Sequence, residues 1–312
     1  MESTDIPPVP PKRRAWSPKK KVTAGLLALA AAAVGAYVFL VVALGIGFPN
    51  DPVVVAGPND KIAQVLGSHV RYREVPGTGV PLLFLPGNGR QIEDWDQVMA
   101  GFPGRHMYAM DLIGYAGSGR PEVSYTLECH AQYVAAFMDA LKIDQAVVIG
   151  HSVGGPVAAW VGAKWPERVR GVVIVAPPGV PGSLYYPFPK SLFCHPGFFN
   201  RLAMRVVQTK FYRKIFPLSR ADKFLGVTGS FNEEYVDVLG LIKQPTLLLW
   251  SPGDIRCDIA YAPVYQRQIK DLEFISTSRE SEHMIPLTDP AATIAHLKRY
   301  LPKVDARDAP KG

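Results

Sequence analysis

The sequence predicts an α/β protein with a mostly parallel sheet covered by helices on both faces, a helical lid, and a transmembrane helix near the N-terminus. Short apolar runs rich in β-branched residues alternate with helical stretches, the pattern of parallel strands joined by crossover helices. About 70 residues separate two of these runs, too many for a plain connection. A charge-free apolar segment fills residues 22–48. These features separate an N-terminal membrane segment from a single folded body.

Residues 1–21 form a basic, proline-rich tail that we expect to be disordered. Its six basic and two acidic side chains account for +4 of the formal net charge of +7. The rest of the chain is therefore only mildly basic, and no nucleic-acid recognition module is present in the sequence, so we expect no nucleic-acid partner. The opposite flank, residues 49–60, carries two acids and no base. The positive-inside rule then predicts a cytoplasmic N-terminus and an extracytoplasmic body.

The apolar segment 22–48 is predicted to be a retained, single-pass signal-anchor helix. A helix crossing the hydrocarbon needs about 20 apolar residues, whereas the apolar region of a cleaved signal peptide has about 7 to 15. The small residues between positions 30 and 36 leave one alternative, in which the segment is cleaved and the body is secreted.

Residues 49–303 are predicted to form one domain, followed by a short C-terminal tail at 304–312. A helix is expected over Thr126–Leu141, and Val70–Glu74 is expected to add an early edge strand. The predicted parallel strands, in chain order, are Leu82–Leu85, Met107–Met110, Ala146–Ile149, Val172–Val175 and Thr246–Trp250.

The run Ala146–Ile149 ends in Gly150-His-Ser152-Val-Gly154, and a helix is predicted over 156–163. Because Gly150 and Gly154 lack a Cβ, strand and helix can approach closely enough to put Ser152 on a tight turn above the sheet. The alternative is a glycine-rich loop with a surface serine. The strand before the motif and the helix after it favour a nucleophile.

A serine nucleophile needs an acid that orients its base. Asp254 follows the strand Thr246–Trp250 on a Pro-Gly turn, which suits a carboxylate at the carboxyl edge of a sheet. Asp258 is the alternative, although we expect it to cap a helix or face solvent. The loop after Val172–Val175 offers no carboxylate between residues 176 and 183.

His283 is the predicted base, because it follows the late apolar run Leu272–Ile275 and precedes a terminal helix. His151 adjoins the serine, so its side chain is expected to point away from the serine. The remaining histidines lie in helical patterns, upstream of the serine, or in the lid: His69, His106, His130, His195 and His296.

The oxyanion formed during acyl transfer needs backbone donors. We expect one from the amide of Val153 and one from Asn88, in the glycine-rich loop that begins at Gly87. The alternative for that loop is a plain turn. The three cysteines, Cys129, Cys194 and Cys257, are widely spaced and form no paired metal-ligand pattern. Neither a metal nor a cofactor is expected.

The chain resembles the α/β-hydrolase superfamily over about residues 53–303. Gly150–Gly155 resembles its nucleophile elbow, and Glu282-His283 with Asp289-Pro290 resembles its histidine loop. Asp111–Ser118 resembles the loop common after its fourth strand, which we interpret as scaffold, with Ala116 where the second glycine usually falls. The resemblance implies the order Ser152, Asp254, His283 for the catalytic triad.

Two departures from the family pattern affect the choice of branch. Pro86-Gly87 stands where members commonly have His-Gly, and Ser251 replaces a glycine often found before the acid. Branches that open epoxides or displace halide carry aspartate at the elbow, so the serine here excludes them. Esterase, lipase, thioesterase, peptidase, carbon–carbon hydrolase and perhydrolase branches remain.

The excursion at about 177–243 is predicted to be a lid with its own helices. Residues 184–223 hold eight bases, one acid and nine aromatic residues. Aromatic and basic residues together suit contact with anionic lipid headgroups. The alternative is that the aromatics line the lid's own core while the bases are solvated.

The sequence therefore predicts a membrane-anchored serine hydrolase that cleaves a small lipophilic carboxylic ester through an acyl-enzyme. Its expected lipid contacts are the N-terminal helix and the lid. Three alternatives remain: a carbon–carbon bond hydrolase on the same triad, a perhydrolase, and a catalytically silent binding protein of the same fold.

Overall fold

The computed structural model describes residues 18–44, 57–185, 195–215 and 220–306. These residues form an eight-stranded sheet in the order β1-β2-β4-β3-β5-β6-β7-β8. β2 is antiparallel to both of its neighbours, and the strands from β4 to β8 are parallel. The strands are β1 Asp60–Val65, β2 Ser68–Val75, β3 Thr78–Leu85, β4 Arg105–Met110, β5 Ala146–His151, β6 Val169–Val175, β7 Thr246–Trp250 and β8 Leu272–Ser276.

Helices cover both faces of this sheet. The described helices are α1 Pro18–Leu44, α2 Asp96–Ala100, α3 Leu127–Ala140, α4 Gly154–Lys164, α5 Phe198–Val207, α6 Lys210–Ile215, α7 Arg220–Gly229, α8 Glu233–Leu239, α9 Ala262–Gln268, α10 Ile285–Thr288 and α11 Pro290–Asp305. A Cβ on Gly171 of β6 would meet Tyr300 of α11, whereas the next residue, Val172, contacts Gly162 of α4. Since successive side chains of a strand point to opposite faces, α4 and α11 lie on opposite sides of the sheet.

This architecture confirms the predicted fold class, including the helices between β6 and β7 and an apolar helix near the N-terminus. The predicted helix Thr126–Leu141 is α3, whose N-cap Thr126 accepts a hydrogen bond from the Cys129 amide. The central strands β3, β5, β6 and β7 form the buried core, because parallel strands are covered on both faces.

The prediction that Val70–Glu74 lies at an edge is wrong. These residues belong to β2, and β1 lies outside it as the edge strand. A tight turn with positive φ at Leu66 and Gly67 joins the two strands into a hairpin. The sequence does not predict β1, because only two of its six residues, Ala63 and Val65, are buried.

Helix α1 begins at Pro18, four residues before the predicted span, so Lys19, Lys20 and Lys21 lie in its first turns. Proline favours the first helical position, which explains the earlier start. By length and composition, residues Pro18–Tyr37 of α1 are apolar enough to cross a membrane, and they are not buried against the domain. The tail at 1–17 and the end of the predicted span at 45–48 lie outside the described residues.

Asp111 organises the loop after β4, which the sequence marked as scaffold. Its buried carboxylate accepts hydrogen bonds from Arg71 Nη1 at 3.0 Å, the Gly117 amide at 3.0 Å and the Ile92 amide at 2.8 Å. Burial raises the pKa of Asp111 to about 6, although these donors act in the opposite direction. Ala116 has a φ of 43°, which explains why a glycine is favoured there. Through Ile92, Asp111 fixes the segment that follows Asn88.

Candidate active site

Ser152 lies on a strained turn between β5 and α4, with a φ of 50°. A side chain in this region costs about 1–2 kcal/mol, so the surrounding contacts must impose the conformation. A Cβ on Gly150 would lie 1.9 Å from the Gly154 carbonyl oxygen, and one on Gly154 would lie 2.5 Å from the Leu85 carbonyl oxygen. Both predicted elbow glycines are therefore required by close backbone packing.

The structure brings Ser152, His283 and Asp254 together in one hydrogen-bonded chain. His283 Nε2 lies 3.0 Å from Ser152 Oγ, and His283 Nδ1 lies 2.8 Å from Asp254 Oδ2. Asp254 can only accept at neutral pH, so Nδ1 carries the proton and Nε2 is the acceptor for the serine hydroxyl. This arrangement can remove a proton from Ser152.

Asp254, rather than Asp258, contacts the histidine. Its second oxygen, Oδ1, accepts hydrogen bonds from the amides of Arg256 at 2.8 Å and Cys257 at 2.9 Å. The carboxylate is therefore oriented on both sides and its side chain is fully buried. Asp258 caps the short 3₁₀ helix Ile259–Tyr261 by accepting a hydrogen bond from the Ala260 amide. The sequence predicts such a capping role, or exposure to solvent, for this residue.

His151 points toward the loop that carries His283. Its Nε2 lies 2.8 Å from the His283 carbonyl oxygen, which can only accept, so Nε2 donates. Burial, with a smaller contribution from His283, lowers the pKa of His151 to about 3. His151 is therefore a neutral donor that connects the end of β5, next to Ser152, to the loop of His283. This contact between sequence-distant residues left no signal in the sequence.

The other described histidines lie away from Ser152. His130 is buried in α3 between Tyr115 and Tyr125, and His106 pairs with Glu74 in the sheet. None of them contacts the serine.

The two predicted oxyanion donors flank the serine. A Cβ on Gly87 would lie 3.0 Å from the Ser152 Cβ, so the loop of Asn88 passes directly over the elbow. In the described part of the chain, neither the Asn88 amide nor the Val153 amide donates to a protein acceptor. Both residues line the same cavity as Ser152. Two free amides beside a serine are suited to binding an oxyanion.

A cavity of about 340 Å³ opens above Ser152. The lid contributes most of its apolar wall, and two arginines lie among its polar residues. The lining is Asn88, Arg90, His151, Ser152, Val153, Pro178, Leu184, Tyr185, Phe224, Val227, Thr228, Phe231, Ile255, Arg256, Cys257, His283 and Met284. The volume falls at the lower end of the range for small-molecule sites.

Lid aromatics divide between the interior and the surface. Tyr212 is buried. Phe224 and Phe231 follow the basic stretch 184–223 and are buried against the cavity. Phe198, Phe199 and Phe211 are exposed, as is Tyr185. The other aromatics of the basic stretch lie outside the described residues: Tyr186, Phe188, Phe193 and Phe216. The described lid aromatics therefore include both buried and exposed side chains, and contact of the lid with lipid stays a prediction.

Three side chains in the site have metal-binding donors. Ligand atoms of Asp254, Cys257 and His283 all lie within 4.8 Å of one another. Cys257 is free and buried. No sequence pattern indicates this group, because its members do not share a metal-ligand spacing.

Comparisons with known proteins agree with this architecture. A family model described as the alpha/beta hydrolase fold matches residues 80–215. A haloalkane dehalogenase of Mesorhizobium japonicum is 33% identical over 128 residues, 41% of each chain. A 2-hydroxymuconate semialdehyde hydrolase of a Pseudomonas strain is 32% identical over 109 residues, 33% of this chain and 38% of that protein. The chain thus spans about two-fifths of the length of these curated relatives.

Among solved structures, a membrane phospholipase A described as a bacterial virulence factor superposes with a TM-score of 0.61. It is 24% identical, and the match covers 93% of this chain and all of that chain. The haloalkane dehalogenase DbeA of Bradyrhizobium elkani superposes with a TM-score of 0.62 at 21% identity, over 80% of this chain and 99% of that chain. At these identities the likeness establishes the fold alone.

Proposed function

The chain belongs to the α/β-hydrolase superfamily, and from this we propose that it is a membrane-anchored serine hydrolase of lipophilic carboxylic esters. The observation that carries the proposal is the hydrogen-bonded chain from Ser152 Oγ through His283 to Asp254. Hydrolase relatives support hydrolysis in general. The ester, the serine chemistry and the membrane location are our proposals.

In the proposed mechanism, His283 Nε2 takes the Ser152 proton as Oγ attacks the ester carbonyl carbon. Asp254 holds the imidazole with its proton on Nδ1 and stabilises the imidazolium that forms. The amides of Asn88 and Val153 hold the oxyanion of the tetrahedral intermediate. The imidazolium then gives its proton to the leaving alcohol, and water, activated by the same histidine, releases the acid.

The apolar wall of the cavity supports a lipophilic substrate. Leu184, Phe224, Val227, Phe231 and Ile255 surround the space above Ser152. Against these side chains a polar acyl chain would lose its hydration, whereas an apolar one gains about 25 cal/mol per Å² buried.

The resemblance to haloalkane dehalogenases does not extend to the nucleophile. The halide-displacing branch carries aspartate at the elbow, and this chain has Ser152. A serine attacking carbon would form an ether that water cannot readily cleave, whereas an acyl-serine is hydrolysed. The second candidate is carbon–carbon bond hydrolysis, favoured by the similarity to the semialdehyde hydrolase.

We further propose that α1 anchors the protein by a single span, with the N-terminus cytoplasmic and the 49–303 domain extracytoplasmic. The apolar, unburied surface of α1 supports the anchor, and the membrane phospholipase A similarity is consistent with it. The lysines at the start of α1 support the orientation.

The lid presents a second surface suited to the membrane. Phe198, Phe199, Leu202 and Val206 of α5 are exposed, and their spacing puts them on one helical face. Arg201 and Arg205 are exposed beside them, and Ala203 and Val207 face inward. Both α5 and α1 contact α7. We propose that α5 rests on the bilayer that α1 crosses.

Fluorophosphonate labelling of membranes that contain the full chain tests the proposed function. We expect labelling of the wild type and its loss in Ser152→Ala, followed by a preference among p-nitrophenyl esters of increasing chain length. Asp254→Asn should lose at least about 100-fold in kcat, and Asp258→Asn serves as its matched control with near wild-type rates. A folded wild type that neither labels nor hydrolyses any ester would make the silent binding protein the better description. Turnover of vinylogous diketones alone would favour carbon–carbon hydrolysis, and turnover of acetate with peroxide would favour a perhydrolase.

A further inference from the structure

Cys257 is a buried thiol with no part in the proposed mechanism, yet it lies beside the acid and base. Its amide donates to Asp254 Oδ1, and its carbonyl accepts from Trp250 Nε1 at 3.0 Å. This backbone pairing fixes Cys257 against the triad. The thiol, the Asp254 carboxylate and the His283 imidazole then form a compact group of three donors within 4.8 Å.

We propose that Asp254, Cys257 and His283 bind a thiophilic divalent cation such as Zn²⁺ and that this binding switches the active site off. Thiolate, imidazole and carboxylate are the three ligand types that Zn²⁺ takes in proteins, and three protein ligands leave a fourth position for water. The binding is independent of the proposed function, whereas the inhibition rests on it.

The distances suit such an ion after a small adjustment. Tetrahedral Zn²⁺ with bonds of about 2.0–2.3 Å separates its ligand atoms by about 3.3–3.6 Å. His283 Nδ1 and Asp254 Oδ2, now 2.8 Å apart, would open slightly. The thiol would close on them by up to about 1.2–1.5 Å, starting from separations within 4.8 Å. Side-chain rotation at Cys257 and His283 provides movements of this size.

The charge balance favours the ion. Without metal, the donors are the Asp254 carboxylate, the His283 imidazole and the Cys257 thiol. Zn²⁺ displaces the thiol proton, which leaves for solvent, and the group becomes neutral. Burial and the Asp254 carboxylate raise the pKa of Cys257, so the proton competes with the cation and the metal affinity should increase with pH. A buried group without net charge costs less than one with a charge.

Inhibition follows from the imidazole tautomer. The cation takes the lone pair of His283 Nδ1, so the ring proton moves to Nε2. Nε2 then donates toward Ser152 Oγ instead of accepting its proton, and the general base is lost. His283 and Cys257 both line the substrate cavity, which gives the ion a route to the site.

The first test measures hydrolysis of a soluble p-nitrophenyl ester by the full chain in detergent, with increasing Zn²⁺ and reversal by EDTA. Each variant is compared with its own metal-free rate. Loss of an outer-shell partner weakens metal affinity by about 10- to 100-fold, so loss of the Cys257 ligand in Cys257→Ala should weaken inhibition by at least about 100-fold. The matched control, Cys129→Ala with Cys194→Ala, should keep wild-type sensitivity. Equal sensitivity in Cys257→Ala would overturn the proposal.

The second test needs no activity. In the Cys129→Ala, Cys194→Ala chain, Cys257 is the remaining one of the three cysteines. We expect Cd²⁺ to produce a thiolate-to-cadmium charge-transfer absorption in this variant, one thiolate per chain, and to slow alkylation of Cys257. Absence of this absorption overturns the site even if Cys257→Ala fails to fold. If the charge-transfer absorption appears but the protein hydrolyses no ester, the metal site is supported and the proposed function is contradicted.

Discussion

The His151 side chain donates a hydrogen bond to the backbone carbonyl of His283 at 2.8 Å, so the residue before Ser152 holds the loop that carries His283. The loop needs such a restraint, because Glu282 has a φ of 50° and a ψ of −145°, a combination that side chains rarely adopt. His151 stays neutral throughout the working pH range, since its pKa is about 3. It therefore acts as a positioning residue.

Replacing His151 should lower kcat more than it changes KM. A displacement of about 1 Å in a reacting group can cost about 100-fold, so we expect His151→Ala to lose about 10- to 100-fold in kcat. His151→Gln, whose Nε2 can donate to the same carbonyl, should recover most of it. Rates are normalised to the fluorophosphonate-labelled fraction, which removes the effect of misfolded protein. Equal losses in the two variants would show that the hydrogen bond is not what matters.

Ser152 reduces the stability of the fold through its backbone conformation. We expect Ser152→Gly to be more stable than Ser152→Ala by about 1 kcal/mol, because glycine adopts positive φ without the steric cost. Both variants lack the hydroxyl and should be inactive. Urea denaturation of the two full-length variants in the same detergent measures the difference. A Ser152→Ala chain as stable as Ser152→Gly would contradict a strained elbow.

His130 makes the fold sensitive to acid. It is fully buried, neither ring nitrogen has a hydrogen-bond partner among the described residues, and burial followed by the Lys223 charge lowers its pKa from 6.5 to about 3. Since the folded pKa is depressed, the unfolded chain binds the proton first. The contribution to stability is present above pH 6.5 and is lost as pH falls toward 3, by about 1.4 kcal/mol per pH unit.

His130→Phe should remove this one-proton slope between pH 6 and 4 while the slope from His151 remains. Phenylalanine fits the same place between Tyr115 and Tyr125. The free energy of unfolding of both proteins is measured against pH in urea. Parallel curves for wild type and His130→Phe would mean that His130 is protonated in the fold.

The exposed face of α5 should matter only for substrates in a bilayer. Burying a leucine side chain contributes about 1.5–3 kcal/mol, so we expect Leu202→Glu to lower turnover of a vesicle-embedded long-chain ester about tenfold. Turnover of a soluble short-chain ester should not change. Ile62→Glu on β1 is the matched control, because Ile62 is 56% exposed and Leu202 is 47% exposed. A similar loss in both variants, or on both substrates, would be evidence against the membrane contact of α5.

Local patterns were enough to predict the central strands and the elbow. Thr246–Trp250 was predicted with the bounds observed for β7, and the other central strands are two to four residues longer than predicted. Such strands are easy to recognise in the sequence, because a strand buried on both faces is a nearly continuous apolar run. The residues of the triad were predictable because each follows a strand at the same edge of the sheet. Their roles in catalysis remain predictions.

Contacts made only by tertiary packing were not predictable. Cys257 approaches His283 because β7 and β8 are neighbours, and His151 reaches the same loop across the top of the sheet. Lys223 belongs to the basic lid stretch, yet it is buried and donates to the Gly114 carbonyl. A helix-surface pattern cannot distinguish such a lysine from a solvated one.

The separation of 131 residues between Ser152 and His283 has a consequence for biosynthesis. A ribosome adding about 5–20 residues per second needs roughly 7–26 s to travel from the serine codon to the histidine codon. Throughout that interval the nascent chain exposes an unactivated hydroxyl. Under the function proposed above, the chain therefore assembles its serine, acid and base only after nearly all of the protein has been translated.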